Sequence, residues 1–212
     1  MSDSFEYWFF PELEREGASK AKENILRGFW KRGLIETENN PDLVLGHVDE
    51  AYGPTEKLAA LYSKPDGLGG VSLSLWTRGM GVHEGFALDG FELSYMEKII
   101  CPGCQTSNSF KETGLIEAME IFHKTQIIPE IKCPVCGDLH DARHWRGELH
   151  DKRWQSEPQF TFCYLGFKFW NWPPLKGLEG SEYDPPGVWK VDIPNLMEEL
   201  AQSPVSFLYG HF

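Results

Sequence analysis

Two pairs of cysteines dominate the chemistry this chain could perform: Cys101-Pro102-Gly103-Cys104 and Cys133-Pro134-Val135-Cys136-Gly137. Each pair spaces two sulfurs by two residues, so one tight turn can aim both at the same ion. Four thiolates from two such turns make a closed tetrahedral cage, the donor set that favours Zn²⁺. The expected metal content is one structural Zn²⁺, held by Cys101, Cys104, Cys133 and Cys136. Pro102 and Pro134 stiffen the entry to each turn. Gly103 and Gly137 are expected to supply positive φ, letting backbone N–H groups approach the sulfurs.

Other chemistries of cysteine compete with this reading. A redox dithiol is one C-x-x-C opening a helix beside a strand. Here the first pair follows the extended run Phe91–Ile100, and the second follows Ile127-Ile128-Pro129-Glu130-Ile131-Lys132. A catalytic zinc needs an open coordination position and a neighbouring base, and four cysteines leave no opening. An iron site remains open by donor type alone. His140 and His144 would share a helix face if 138–148 were helical. Asp141 stands where a two-histidine metalloprotease carries glutamate, so these and His150 read as ordinary polar residues. Cys163, in the apolar run Phe160–Leu165, reads as a small buried hydrophobe.

The strand-hook-strand-hook order resembles the knuckles of zinc-ribbon modules, whose common C-P-x-C-G form is present at Cys133–Gly137. The resemblance covers residues 99–140 and implies a fold element without an attached activity. The whole chain also resembles bacterial proteins that share the segments Trp170-Asn171-Trp172-Pro173-Pro174-Leu175 and Tyr209-Gly210-His211. That likeness carries no activity with it.

The rest of the chain must position the cage. Trp8-Phe9-Phe10-Pro11-Glu12-Leu13 and Trp170–Leu175 share the pattern W-x-aromatic-P-x-L, and Gly46-His47 is echoed by Gly210-His211. Ala18, Ala21, Ile25, Leu26 and Phe29 recur at helical spacing and stop near Gly33; Pro194 opens a second helix. The expectation is an α+β fold of two similar β-α-β units with the zinc ribbon inserted between them. Its parts would be an N-terminal α+β unit over 1–98, the ribbon over 99–140, and a C-terminal unit over 141–212 that shares a core with the first. Val71–Trp76 alternates as a half-wet strand, 115–122 reads as a helix inside the insert, and Phe160–Trp170 reads as a central strand buried on both faces.

Composition narrows the function. The chain has 212 residues, 41% apolar and 14% aromatic, enough for a sizeable core and unlike a disordered protein. No apolar run approaches a membrane span, and the acidic N-terminus lacks the basic region of a signal peptide. Zinc-type cysteines then point to the reducing cytoplasm. The net charge of −12 weakens the nucleic-acid role that zinc ribbons invite, because phosphate contacts need a basic stripe. It suits a basic protein partner better. No phosphate loop, dinucleotide fingerprint or nucleophile elbow occurs.

The resulting expectation is a non-catalytic zinc protein acting through protein–protein contact, in a toxin-neutralising (immunity-like) or adaptor role. The alternatives are a nucleic-acid-associated ribbon, or a hydrolytic or sugar-binding enzyme with an unrecognised site. Candidate ligand or interface residues are His47 and His211, brought together by the repeat, and Trp170 and Trp172.

Overall fold

The computed structural model describes residues 4–45, 48–63, 77–89, 96–149, 160–175 and 188–211. At its centre lies an antiparallel sheet in the order β12-β1-β10-β4-β2. Its strands are Ser4–Phe9 (β1), Glu50–Tyr52 (β2), Met80–Asp89 (β4), Phe160–Trp170 (β10) and Ser206–His211 (β12). A side ribbon pairs Tyr62–Ser63 (β3) with Val188–Trp189 (β11). The long apolar run Phe160–Trp170 forms the middle strand because it is buried along almost its whole length. A strand with no wet face needs neighbours on both edges and cover on both sides.

Two helices cover one face. Arg15–Arg32 (α1) follows β1 and turns Ala18, Ala21, Ile25, Leu26 and Phe29 inward. Gly33 closes it in the left-handed conformation, with its N–H donating to Phe29 and Trp30 carbonyls. Ile193–Ala201 (α4) follows β10, with Pro194 in its first turn and the Asp192 carboxylate accepting the Asn195 N–H at 2.9 Å. Between the helices and the sheet, Trp8, Phe10, Leu165, Phe167, Phe169 and Met197 form the main core. The short helix Glu56–Ala59 (α2), capped by Thr55, packs Leu58 into the same core.

The connectivity is a split β-α-β-β-α-β arrangement, ferredoxin-like in topology. The strands of the β1-α1-β4 unit flank β10, and those of the β10-α4-β12 unit flank β1. The fold is thus mixed α and β, as expected, with the cysteine module inserted between β4 and β10.

The pseudo-repeat read from the sequence is not confirmed. Gly210 and His211 end β12, opposite Phe5 and Ser4. Gly46 and His47 lie outside the described residues, Leu45 before them sits in a bend, and the first unit closes through β4. The shared W-x-aromatic-P-x-L pattern marks a local event: β1 ends at Phe9, two residues before Pro11, and β10 ends at Trp170, three residues before Pro173. Proline lacks the N–H needed to extend a ladder, so the motif encodes a strand end. The alternating run Val71–Trp76 also lies outside the described residues.

Candidate metal centre

The inserted module is built from two hairpins and a helix. Met96–Ile100 (β5) pairs with Ser107–Ser109 (β6), and Glu130–Lys132 (β7) pairs with Leu139–Asp141 (β8). Each dicysteine turn is the tip of one hairpin. Between them runs Leu115–Thr125 (α3), whose Leu115, Ala118 and Phe122 are buried. Arg146–Leu149 (β9) joins the other edge of β5, so the module continues past residue 140. Ile99, Leu115, Ile131 and Trp145 form its core together with Cys101 and Cys133.

The module is not a free appendage. Phe160 and Phe162 of β10 belong to its core. Phe122 meets Phe162 and Tyr164 edge-on, with ring centroids 5.7 and 5.9 Å apart. The Tyr164 hydroxyl accepts the Ile128 N–H at 3.3 Å. Arg143 is held by both oxygens of Asp141, at 2.7–3.1 Å, and reaches Glu14 at 3.0 Å. That ion pair ties the module to the start of α1.

The two hooks have the same backbone construction. The Cys101 N–H donates to the Thr106 carbonyl (3.1 Å) and the Gln105 N–H to the Cys101 carbonyl (3.0 Å). In the second hook, the Cys133 N–H donates to Asp138 (2.9 Å) and the Gly137 N–H to Cys133 (2.9 Å). In each hook the residue after the second cysteine takes the left-handed conformation: Gln105 with φ 58° and Gly137 with φ 80°. The expectation that Gly103 would supply positive φ is therefore corrected, since that duty falls to Gln105. Gly103 serves a different need. A Cβ there would lie 2.7 Å from Cε1 and Nε2 of His140, so its bareness admits the imidazole.

The four sulfurs converge. All lie within 4.8 Å of one another, with Cys101–Cys136 at 3.9 Å and Cys104–Cys133 at 3.8 Å. These separations far exceed the ~2.05 Å of a disulfide bond. They match the ~3.8 Å edge of a tetrahedron drawn with a metal–sulfur bond of about 2.3 Å. The cage could hold a metal ion. Cys101 and Cys133 are buried, whereas Cys104 and Cys136 face solvent.

Electrostatics argue for a cation in the cage. The Thr106 hydroxyl and N–H donate to Cys104 and bring its thiol down to about 6. Although the Asp138 N–H donates to Cys136, partial desolvation by its surroundings and the other three sulfurs push its thiol up to about 12. Four adjacent thiolates repel one another, and protons or a divalent ion must neutralise them.

His140, read from the sequence as an ordinary polar residue, sits beside this cage. With Cys136 and Asp138 it forms a group whose ligand atoms lie within 4.8 Å of one another. Its Nε2 is buried and has no hydrogen-bond partner among the described residues. The helix that would have aligned His140 with His144 does not form: β8, a 3-10 turn over Ala142–His144 and β9 occupy that stretch. Only the fold of the second hairpin over Gly103 reveals this neighbour.

The other candidates are dispersed. Trp170 is fully buried, and its ring lies 4.6 Å from the Lys168 ammonium, which also sits 3.9 Å from the Phe5 ring. Trp172 is 6% exposed, packs on Phe169 and donates to the Arg78 carbonyl at 2.8 Å. Neither presents a ring at the surface. His211 pairs with Ser4 at the end of β12, and His47 lies outside the described residues. Cys163 is buried against Tyr7, its sulfur 3.4 Å from the hydroxyl, and burial pushes its thiol up to about 12. It is a core residue and a poor nucleophile.

Compared with known protein families, curated proteins and solved structures, the chain finds no match. The chemistry of the site must therefore be read from its own atoms. Among the described residues, no helix is long and apolar enough to cross a membrane.

Proposed function

We propose that this chain is a non-catalytic, zinc-stabilised α+β protein that works by holding another protein, with the cysteine module as the presenting surface. The zinc assignment rests on the all-sulfur donor set and its tetrahedral edge lengths. A closed sulfur cage leaves no position for substrate or water, so the ion acts as a structural rivet. It lets two short hairpins and one helix hold a defined surface that so small a core would not hold unaided.

One observation carries the partner reading. Among the described residues, the exposed large apolar side chains are Ile116, Ile121, Ile127, Val135, Leu139 and Val188. All but Val188 fall between residues 116 and 139, on α3, the following turn and the second hook. Exposed apolar groups gathered on one module are what a protein interface requires. The net charge of −12 favours a basic partner through charge complementarity. A toxin-neutralising or adaptor role fits that combination, since both act by occupancy rather than by turnover.

The test has two arms. Metal analysis of purified protein should return one zinc per chain; iron in its place would overturn the zinc assignment. Val135→Asp combined with Ile121→Asp should abolish binding of the partner recovered with the wild-type protein, re-measured with both components pure, while leaving zinc content intact. Equal binding by the double variant would remove the module from the interface. A gel shift with nucleic acid at physiological salt would favour the ribbon's other common role instead.

A further inference from the structure

We infer that the seam between the first hook and β12 is a binding site for a small phosphate-bearing anion, separate from the apolar surface proposed above. A cavity of about 850 Å³ opens there, within the usual range for small-molecule sites. Its described lining includes Cys101, Pro102 and Gln105 of the first hook. Arg143, His144 and Arg146 come from the turn leading into β9, and Ser206 from the start of β12. None of the described lining residues is acidic. In a chain of net charge −12, the described lining carries two guanidinium groups and an imidazole but no carboxylate.

The three basic side chains are not equivalent. Arg143 is committed to Asp141 and Glu14, which neutralise it and fix it as part of the wall. His144 is exposed and lies near the Asp141 carboxylate. Arg146 is exposed, holds its backbone opposite Ile100 in the β5–β9 ladder, and has no carboxylate partner among the described residues. It is the available anion anchor. A guanidinium offers a planar fork of donors that matches phosphate oxygens in pairs. Ser206 and Gln105 also line the recess, the Gln105 amide donating one N–H to the Pro102 carbonyl at 2.8 Å.

The surroundings select for a small ligand. An acidic exterior repels a polyanionic chain, whose affinity depends on many phosphate contacts. A single phosphate or diphosphate group entering a recess is screened from distant acids within roughly a Debye length of 8 Å. The site therefore takes the phosphate group of a small molecule rather than a nucleic-acid backbone.

Titration calorimetry on the zinc-loaded full chain tests this, with inorganic pyrophosphate and ADP as probes in separate experiments. At least one probe should bind saturably, and Arg146→Glu should weaken it by about tenfold or more. Lys20→Glu, the same charge change at an exposed position of α1 that is not among the described lining residues, should leave the affinity within about twofold. Pyrophosphate alone would assign the site to the inorganic anion, and tighter binding of ADP would show an organic group filling the cavity. Both outcomes support the site. No binding of either probe, or equal weakening by the two variants, would overturn it. Zinc content and thermal unfolding of each variant establish that the fold is intact. Because Arg146 lies outside the exposed apolar set, loss of this site and loss of the protein interface are separately measurable.

Discussion

The imidazole of His140 rests on the backbone of Gly103, so close that a methyl group there would overlap it at 2.7 Å. One residue belongs to the second hairpin and the other to the tip of the first. Their contact is a direct packing link between the two hooks, alongside the shared cage. It makes Gly103 a position chosen for space.

Gly103→Ala should therefore loosen the cage. The added Cβ must displace His140 or part the hooks, and overpacking of this kind costs about 1–3 kcal/mol. Competition with a chelator should show zinc held roughly tenfold or more weakly. Adding His140→Ala removes the overlap and should restore most of the loss. If the double variant is no better than Gly103→Ala alone, the contact is not the cause.

Gln105 predicts the opposite sign. It holds a left-handed backbone with φ 58°, where its counterpart in the other hook is Gly137. Gln105→Gly should stabilise the metal-loaded protein by about 0.5–1 kcal/mol, reduced by loss of the side-chain hydrogen bond to the Pro102 carbonyl at 2.8 Å. Urea unfolding of the two proteins, both zinc-loaded, reads the difference.

Glu6 makes stability depend on pH. It is 3% exposed on the helix-covered face of β1, where burial raises its carboxyl from 4.5 to about 7. Hydrogen bonds from the Trp8 indole (2.8 Å) and the Leu175 N–H (3.0 Å) offset part of that rise. The folded pKa lies above the unfolded one, so the folded state holds the proton more tightly. No penalty exists below pH 4.5; it grows as pH rises towards 7 and is complete above. The shift corresponds to about 3 kcal/mol at 1.36 kcal/mol for each pH unit. Glu6→Gln should thus gain about that much relative to wild type between pH 4.5 and pH 8. Denaturant midpoints at both pH values decide it, and an equal difference at the two would refute the linkage.

Zinc removal should be felt beyond the hooks. Phe160 and Phe162, on the central strand, pack in the same core as Cys101 and Cys133. Chelation should expose amides across 96–149 first in hydrogen exchange, then those at the Phe160 end of β10, while α1 and β1 keep most of their protection. Cys104→Ser should reproduce the pattern without chelator. Uniform loss over the whole chain would mean that the module and the main sheet unfold as one unit.

Much of the local structure was legible in order along the chain. The period of Ala18, Ala21, Ile25, Leu26 and Phe29 predicted α1, and Pro194 marked the start of α4. The run Phe160–Trp170, apolar except for Thr161 and Lys168, announced the middle strand. Each of these is a local signal, in which side-chain period and backbone chemistry act over a few residues. The sequence repeat is not confirmed because its landmarks are also local: they mark where strands end, and several topologies end strands alike. Trp170 and Trp172 were misleading for a related reason. Both were candidate ligand or interface residues, whereas the sheet and Lys168 enclose the first ring and Phe169 covers the second.

What the amino-acid order determined unaided was the donor set: two sulfur pairs on short turns, enough to specify a four-thiolate cage. Thiolate chemistry and turn length are properties of a few adjacent residues, so no tertiary information was needed. Chain folding decided what surrounds that cage. His140 reaches Gly103, Arg146 lines a recess with Ser206, and β10 joins two cores only because segments distant in sequence pack against one another. Such contacts depend on the cumulative geometry of sheet order and helix placement, which no short window of residues contains.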